Sequence, residues 1–278
     1  MANIPPKQIH AVLPSTVDTY QKWTTAVGGL PDFELLSDGK TRLLWLGRRK
    51  AKNVLLFFHE GTGGGYVMPL SPGHLDWMAH IKGEASKADI ALDIIFGGDS
   101  AGGHISLSLL SCLHHPRPRN LNPIYDIEMT EPVKGCFLVS PLTSLNLNTM
   151  SFRKPYSVDV LGKEVVSRWG DLLIKDSPWQ DEISRGYGWG MALDVSESWW
   201  EGLNSVDGIL ITTGEEEVFR DHIIQLIDVF KCRAKSNVTS YIADKETHDG
   251  PLMDFLAQRA PSLTTQHITQ WIIAQLHD

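Results

Sequence analysis

The stretch Gly97-Gly98-Asp99-Ser100-Ala101-Gly102-Gly103 constrains this chain more than any other. Ile94-Ile95-Phe96 leads into it and reads as a buried strand; Ile105, Leu109 and Leu113 follow at four-residue spacing, with Leu110 beside them, and read as a helix. A serine therefore sits on a glycine-flanked turn between a strand and a helix. Gly98 to Gly102 fits G-x-S-x-G, the nucleophile elbow, in the context that motif requires. A strand that turns directly into a helix strains its central residue, and flanking glycines leave room for close backbone approach. The hydroxyl then projects at the carboxyl end of the strand, beside the free N–H groups of a helix N-terminus.

Around this turn, apolar runs and turn signals alternate in an α/β pattern. Ser15 to Val27 predicts a helix ended by Gly28-Gly29. Phe33 to Ser37 and Thr41 to Leu46 flank Asp38-Gly39 and predict a β-hairpin. Val54 to Phe58 and Val133 to Val139 predict buried strands. Ser71-Pro72 opens a helix running to about Ala88, and Pro116 to Pro132 reads as a loop. Gly208 to Thr213 is a further strand, followed by a helix to about Lys231; Val238 to Ala243 is the last strand and Ser262 to Leu276 the closing helix. Residues 150 to 205 differ in texture. They hold Trp169, Trp179, Trp189, Trp199 and Trp200 among short amphipathic pieces, and read as a helical lid inserted in a single domain spanning 1 to 278. Its aromatics either line a pocket for a bulky apolar substrate or pack the lid onto the body.

Charge and cysteine content narrow the partners. The net charge is −8 with no basic stripe, which speaks against nucleic acid. Cys112, Cys136 and Cys232 form neither a disulfide framework nor a zinc site. No signal peptide is legible in Met1 to Pro14 and no stretch has the length of a membrane span, so the chain reads as soluble and cytoplasmic.

A serine nucleophile needs a base, an acid to orient the base, and donors for the oxyanion. His248 follows the last strand, and carboxylates follow the strand before it, giving the chain order Ser…Asp/Glu…His. Glu215, Glu216, Glu217 and Asp221 compete for the acid. His104, one helical turn past Ser100, reads as structural. His59-Glu60-Gly61-Thr62-Gly63-Gly64-Gly65-Tyr66 follows the strand at Val54, and consecutive glycines there can aim several N–H groups at one point. The amide of Ala101 supplies the other donor.

These residues together resemble the hormone-sensitive-lipase-like branch of the α/β-hydrolases. They are more closely similar to its fungal esterases and deacetylases of secondary metabolism, such as the versiconal hemiacetal acetate esterases. The resemblance runs from about Val54 onward and rests on Gly97 to Gly103, Gly63 to Tyr66, Ser71 to His74, Trp199-Trp200, Glu217 to Asp221 and His248-Asp249. It implies an α/β-hydrolase fold: a mostly parallel sheet, helices on both faces and a helical lid. It also implies hydrolysis of a small-molecule carboxylic ester, acetyl or another short acyl group on a bulky alcohol, without metal or cofactor. The branch's acid begins a D-P-L-R-D-like run, which selects Glu217, and its oxyanion donors fall on Gly63, Gly64 and Ala101.

Two departures accompany the resemblance. Glu60-Gly61-Thr62 intervenes where the family reads His-Gly-Gly-Gly-Tyr. The family's strand order is 1-2-4-3-5-6-7-8, yet Ser71 to Phe96 has room for only one helix and one strand before the elbow; the junction of the missing unit falls near Leu92-Asp93. Without family strand 4, the first hairpin loses its neighbour, and a right-handed crossover into the elbow strand needs its helix on the other face. The expectation is a shortened member with a weakened fold and weak activity. A non-catalytic α/β-hydrolase fold that binds a small molecule or a partner stands as the alternative.

Overall fold

A computed structural model of the chain describes residues 8, 11–59, 68–87, 94–115, 129–154, 158–174, 180–188 and 190–276. Helix α1 (Thr16–Ala26) precedes the hairpin β1 (Phe33–Leu35) and β2 (Arg42–Leu44). Strands β3 (Val54–Phe58), β4 (Ile94–Asp99), β5 (Val133–Val139), β6 (Val206–Gly214) and β7 (Asn237–Ala243) form one five-stranded sheet in chain order, every neighbour parallel. Between them lie α2 (Pro72–Ala85), α3 (Ala101–His114), α4 (Met150–Arg153), α5 (Lys163–Ile174), α6 (Gln180–Ser184), a 3-10 turn at Glu197–Trp200 and α7 (Arg220–Arg233); α8 (Gly250–Leu256) and α9 (Leu263–Gln275) close the chain.

Strand side chains alternate between faces with period two. Phe96, Cys136, Leu138, Ile209 and Ile211 point to one face and pack against Leu107 and Leu110 of α3 and Ile223, Leu226 and Phe230 of α7. Ile95, Phe137, Val139 and Leu210 point to the other and pack against Trp77, Met78 and Ile81 of α2 and Ile268, Trp271 and Ile272 of α9. Both faces are covered, which is why these strands read as unbroken apolar runs.

The missing unit has a visible consequence. Family strand 4 has no counterpart among the described residues, and β3 pairs directly with β4, Val54 opposite Ile94 through Phe58 opposite Gly98. The expected junction at Leu92-Asp93 lies outside the described residues. The connections β3–α2–β4 and β4–α3–β5 step the same way across the sheet, but α2 and α3 lie on opposite faces, so the two crossovers have opposite hands. Helix α7 shares the α3 face. With α3 and α7 in the usual right hand, found in about 98% of such connections, the α2 crossover is left-handed. The helix did not move to the other face, as a right-handed connection required; its apolar side, Trp77, Met78 and Ile81, stays docked beside α9.

Among the described residues the hairpin pairs only with itself. Side chains hold it instead. Tyr20 Oη on α1 donates to the carbonyl of Trp45 (2.6 Å) and accepts from the amide of Asp32 (3.0 Å), and Tyr20 packs with Leu70 and Leu75. Helix α1 is tied to α2 by Trp23 Nε1 donating to Asp76 at 2.7 Å.

Residues 150 to 205 carry α4, α5, α6 and the 3-10 turn. Trp200 is fully buried against Phe230, Trp199 donates to Ser111 Oγ on α3, and Trp169 lines a cleft described below. Trp199 and Trp200 thus pack this segment onto the body, and Trp169 borders a cleft; Trp179 and Trp189 lie outside the described residues. Among the described residues no helix is long and apolar enough to cross a membrane.

Candidate active site

Parallel strands bring all their carboxyl ends to one edge, and the elbow, the acid loop and the histidine loop follow β4, β6 and β7 there. Ser100 stands between β4 and α3 with φ 49° and ψ −108°, a conformation side chains avoid. It is pinned there: its N–H donates to Val139 (2.8 Å), and its carbonyl accepts from His104 (3.0 Å) and Leu142 (2.9 Å). A Cβ on either Gly98 or Gly102 would collide with the carbonyl of Phe58, so β3 and α3 approach only across glycine. Behind the serine, His74 Nδ1 accepts from the Ser71 amide at 3.2 Å, leaving Nε2–H to donate to Asp99 at 3.1 Å. Both side chains are fully buried. That pair fixes α2 to the elbow, a role Ser71 to His74 did not disclose in sequence.

Among the four competing carboxylates, Glu217 is the one that faces His248 among the described residues, with Oε1 at 3.7 Å from Nδ1. Its Oε2 accepts from Ser140 Oγ (2.7 Å) and from the Gly214 amide (2.8 Å). Glu216 pairs with Lys154, Asp221 accepts from the Ser151 amide, and Glu215 accepts from the Lys245 amide. Ser140, at φ 46°, also accepts from the Asp249 amide at 3.2 Å and so joins the acid loop to the histidine loop. In sequence its one signal is its place before Pro141 at the end of an apolar strand.

His248 is 1% exposed, and its Nε2 lies 3.1 Å from Asp249 Oδ2. No hydrogen bond joins Ser100 to His248 among the described residues; His248 Nε2 lies toward Asp249. Burial alone pushes this imidazole down, but Asp249 and then Glu217 outweigh it and hold it well above the ordinary histidine range. Sequence reasoning quoted Asp249 only as part of the family resemblance and missed its contact with the ring.

Ser100 and Ala101 open onto a cleft of about 380 Å³ that includes open solvent, walled by Leu142, Leu145, Leu161, Val166, Trp169, Gly170, Leu173 and Phe219. Phe219 also packs edge-on against His248, with ring centroids 5.2 Å apart, so serine and histidine border one aromatic side chain. Ala101 is the first residue of α3, and its amide belongs to the helix N-terminus at the cleft floor. Gly63 and Gly64 lie outside the described residues. His104, read as structural, is buried against the carbonyl of Gly190. Among the described residues no group of three or more His, Cys, Asp or Glu side chains could hold a metal ion.

This doubly covered parallel sheet, with a strained serine at the elbow after β4 and a carboxylate–histidine pair after β6 and β7, is the architecture of the α/β-hydrolases. Residues 72–251 match the family described as the alpha/beta hydrolase fold, well over half of the 278-residue chain, and the chain belongs to that family. No curated protein matches it. Among solved structures it is similar in fold to a fungal esterase from Rhizomucor miehei, at 14% identity and TM-score 0.67, covering 99% of this chain and 91% of that one. Carboxyl esterase 2 of the mycorrhizal fungus Tuber melanosporum is similar at 17% identity and TM-score 0.61, covering 80% and 78%. A thermostable esterase of Pseudomonas putida is similar at 15% identity and TM-score 0.63, covering 99% and 89%.

Proposed function

We propose that this chain is a serine hydrolase of carboxylic esters. The observation that carries the reading is the carboxylate of Glu217, with one oxygen held by Ser140 and Gly214 and the other aimed at His248, on the same sheet edge as a strained Ser100 that opens on an apolar cleft. Ser100 Oγ attacks the ester carbonyl while its proton passes to His248 Nε2. Glu217 holds the tautomer and balances the imidazolium. The amides of Ala101, Gly63 and Gly64 take the oxyanion. His248 then protonates the leaving alcohol, and water cleaves the acyl-serine by the same route. For this, His248 Nε2 must turn from Asp249, whose Oδ2 lies 3.1 Å away, toward Ser100 Oγ.

Residues 150 to 205 act as a lid, with α5 forming the cleft wall. The apolar lining suits a short acyl group, acetyl before others, on a bulky small-molecule alcohol. A place in fungal secondary metabolism rests on the motif resemblance alone. A second reading, a binding protein of this fold, is favoured by the engagement of Nε2 by Asp249 at 3.1 Å. Fluorophosphonate labelling followed by intact mass separates them. One adduct on the wild type and none on Ser100→Ala supports the hydrolase; a folded wild type that takes no label refutes it.

A further inference from the structure

Asp159 lies in the segment between α4 and α5, outside every motif singled out in the sequence. Its Oδ2 accepts from the Val218 amide at 2.7 Å and its Oδ1 accepts from the His248 amide at 3.1 Å. Val218 directly follows Glu217, and both Val218 and His248 are buried. One carboxylate from the lid segment therefore bridges the backbone of the acid loop and the backbone of the base itself. We propose that Asp159 is the positioning residue that sets the separation of Glu217 and His248, and that it couples this separation to the cleft wall. The proposal rests on the hydrolase reading above for its consequence in rate, but not for its geometry.

The coupling follows from chain continuity. Leu161, two residues beyond Asp159, lines the cleft, and Val166, Trp169, Gly170 and Leu173 of α5 continue the same wall. Whatever presses on that wall acts on the segment that holds both catalytic loops. Upstream of Asp159, the described residues of the segment are anchored to the acid loop. Ser151 Oγ donates to the Val218 carbonyl at 2.6 Å, the Ser151 amide donates to Asp221 at 2.7 Å, and Lys154 pairs with Glu216 at 2.6 Å. Asp159 differs from these anchors in reaching His248 as well. The Glu217–His248 contact, at 3.7 Å, is longer than a hydrogen bond, so the pair is not held by its own side chains. Ser140 and the Glu216 amide, which donates to the Glu246 carbonyl, tie the two loops on the sheet side, and Asp159 holds one amide from each on the lid side.

The test uses the full chain with Asp159→Ala, Asp159→Asn and, as control, Lys154→Ala. Asn keeps the volume but only one acceptor oxygen, so it satisfies one amide and not both. Misplacement of a catalytic group by about 1 Å costs on the order of a hundredfold in rate. Asp159→Ala is expected to slow fluorophosphonate labelling of Ser100 by about tenfold to a hundredfold, with Asp159→Asn between it and the wild type and Lys154→Ala within about twofold of the wild type. The His248 imidazole, assigned in NMR spectra by difference from His248→Gln, is expected to titrate at a different pH in both Asp159 variants and unchanged in Lys154→Ala. Wild-type labelling rates together with a wild-type His248 titration in Asp159→Ala and Asp159→Asn would overturn the proposal. If Asp159→Ala fails to fold, Asp159→Asn decides. If the wild type takes no label, the hydrolase reading fails, while the His248 titration still decides whether Asp159 positions the pair.

Discussion

Replacing Glu217 by Gln asks whether the carboxylate that faces His248 is the one that matters. Two donors, Ser140 Oγ at 2.7 Å and the Gly214 amide at 2.8 Å, both point at Oε2. A glutamine must offer them its carbonyl oxygen, which turns its NH2 toward His248 Nδ1. That nitrogen then becomes an acceptor, the ring proton moves to Nε2, and the atom that should receive the serine proton is already occupied. In a serine protease the same wrong-tautomer substitution lowers kcat about ten-thousandfold. The opposite amide orientation sets NH2 against two buried donors and costs about 1–3 kcal/mol of stability. Glu217→Gln is therefore expected to lose roughly three to four powers of ten in kcat toward p-nitrophenyl acetate. Its urea midpoint should fall by no more than that one unsatisfied group accounts for. Asp249→Asn removes the charge at 3.1 Å from Nε2 and is expected to keep or raise activity at neutral pH. A Glu217→Gln protein with more than a tenth of wild-type kcat, beside an inactive Asp249→Asn, would refute the reasoning and make Asp249 the acid.

His248 yields two pH predictions. Its folded-state pKa is raised by Asp249 and Glu217 against the pull of burial, so the folded protein holds a proton that the unfolded chain releases above about pH 6.5. That stabilisation is complete below the unfolded value and is lost as pH climbs through the folded one. Urea midpoints should fall over this range, and less steeply in Asp249→Asn. Esterase activity needs the neutral ring, so it should rise with pH through an inflection above the usual histidine range, and Asp249→Asn should move that inflection down. Gly102→Ala drives a Cβ into the Phe58 carbonyl, where no side chain can give way, and should cost about 3 kcal/mol or more in chemical denaturation. A Cβ at Gly170 would meet Leu145 Cδ2 at 2.9 Å and both residues line the cleft, so Gly170→Leu should raise KM for bulky esters well above its effect on ethyl acetate.

The elements that were legible in the sequence share one property: an apolar run or a periodic apolar face bounded by a local turn or stop signal. The elbow, the Asp38-Gly39 hairpin and all five strands of the sheet are of this kind. Glu217 could not be chosen from its own surroundings, because three neighbouring carboxylates have the same local context; what separates it is Ser140, 77 residues earlier. Asp159 was silent for the same reason, and Ser140 carried only the mark of a strand end before Pro141. Their work is hydrogen bonding to backbone amides and side chains that only the folded sheet brings near. The contact of Asp249 with Nε2 depends on the left-handed backbone at φ 53°, which aspartate adopts without a sequence mark.

The expectation of a weakened fold divides once the missing unit is placed. Family strand 4 lies between the hairpin and β3, on the far side of β3 from the ends of β4, β5, β6 and β7 that carry Ser100, Ser140, Glu217 and Asp249. Its loss leaves the site's own strands in unbroken parallel register. The cost falls on what remains at the β3 end: a hairpin outside the sheet, held by Tyr20 and by Arg49 paired with Asp32 and Glu34, and a left-handed crossover kept because α2 is docked beside α9. Stability should therefore be uneven along the chain. In native-state hydrogen exchange, the amides of α1 and the hairpin should open at lower free energy than those of β4 to β6. Tyr20→Phe, which removes the hydroxyl bonded to Trp45 and Asp32, should widen that gap without slowing fluorophosphonate labelling of Ser100. Equal protection at both ends, or loss of labelling in Tyr20→Phe, would show that the hairpin is structurally coupled to the site and that the shortened sheet does reach the chemistry.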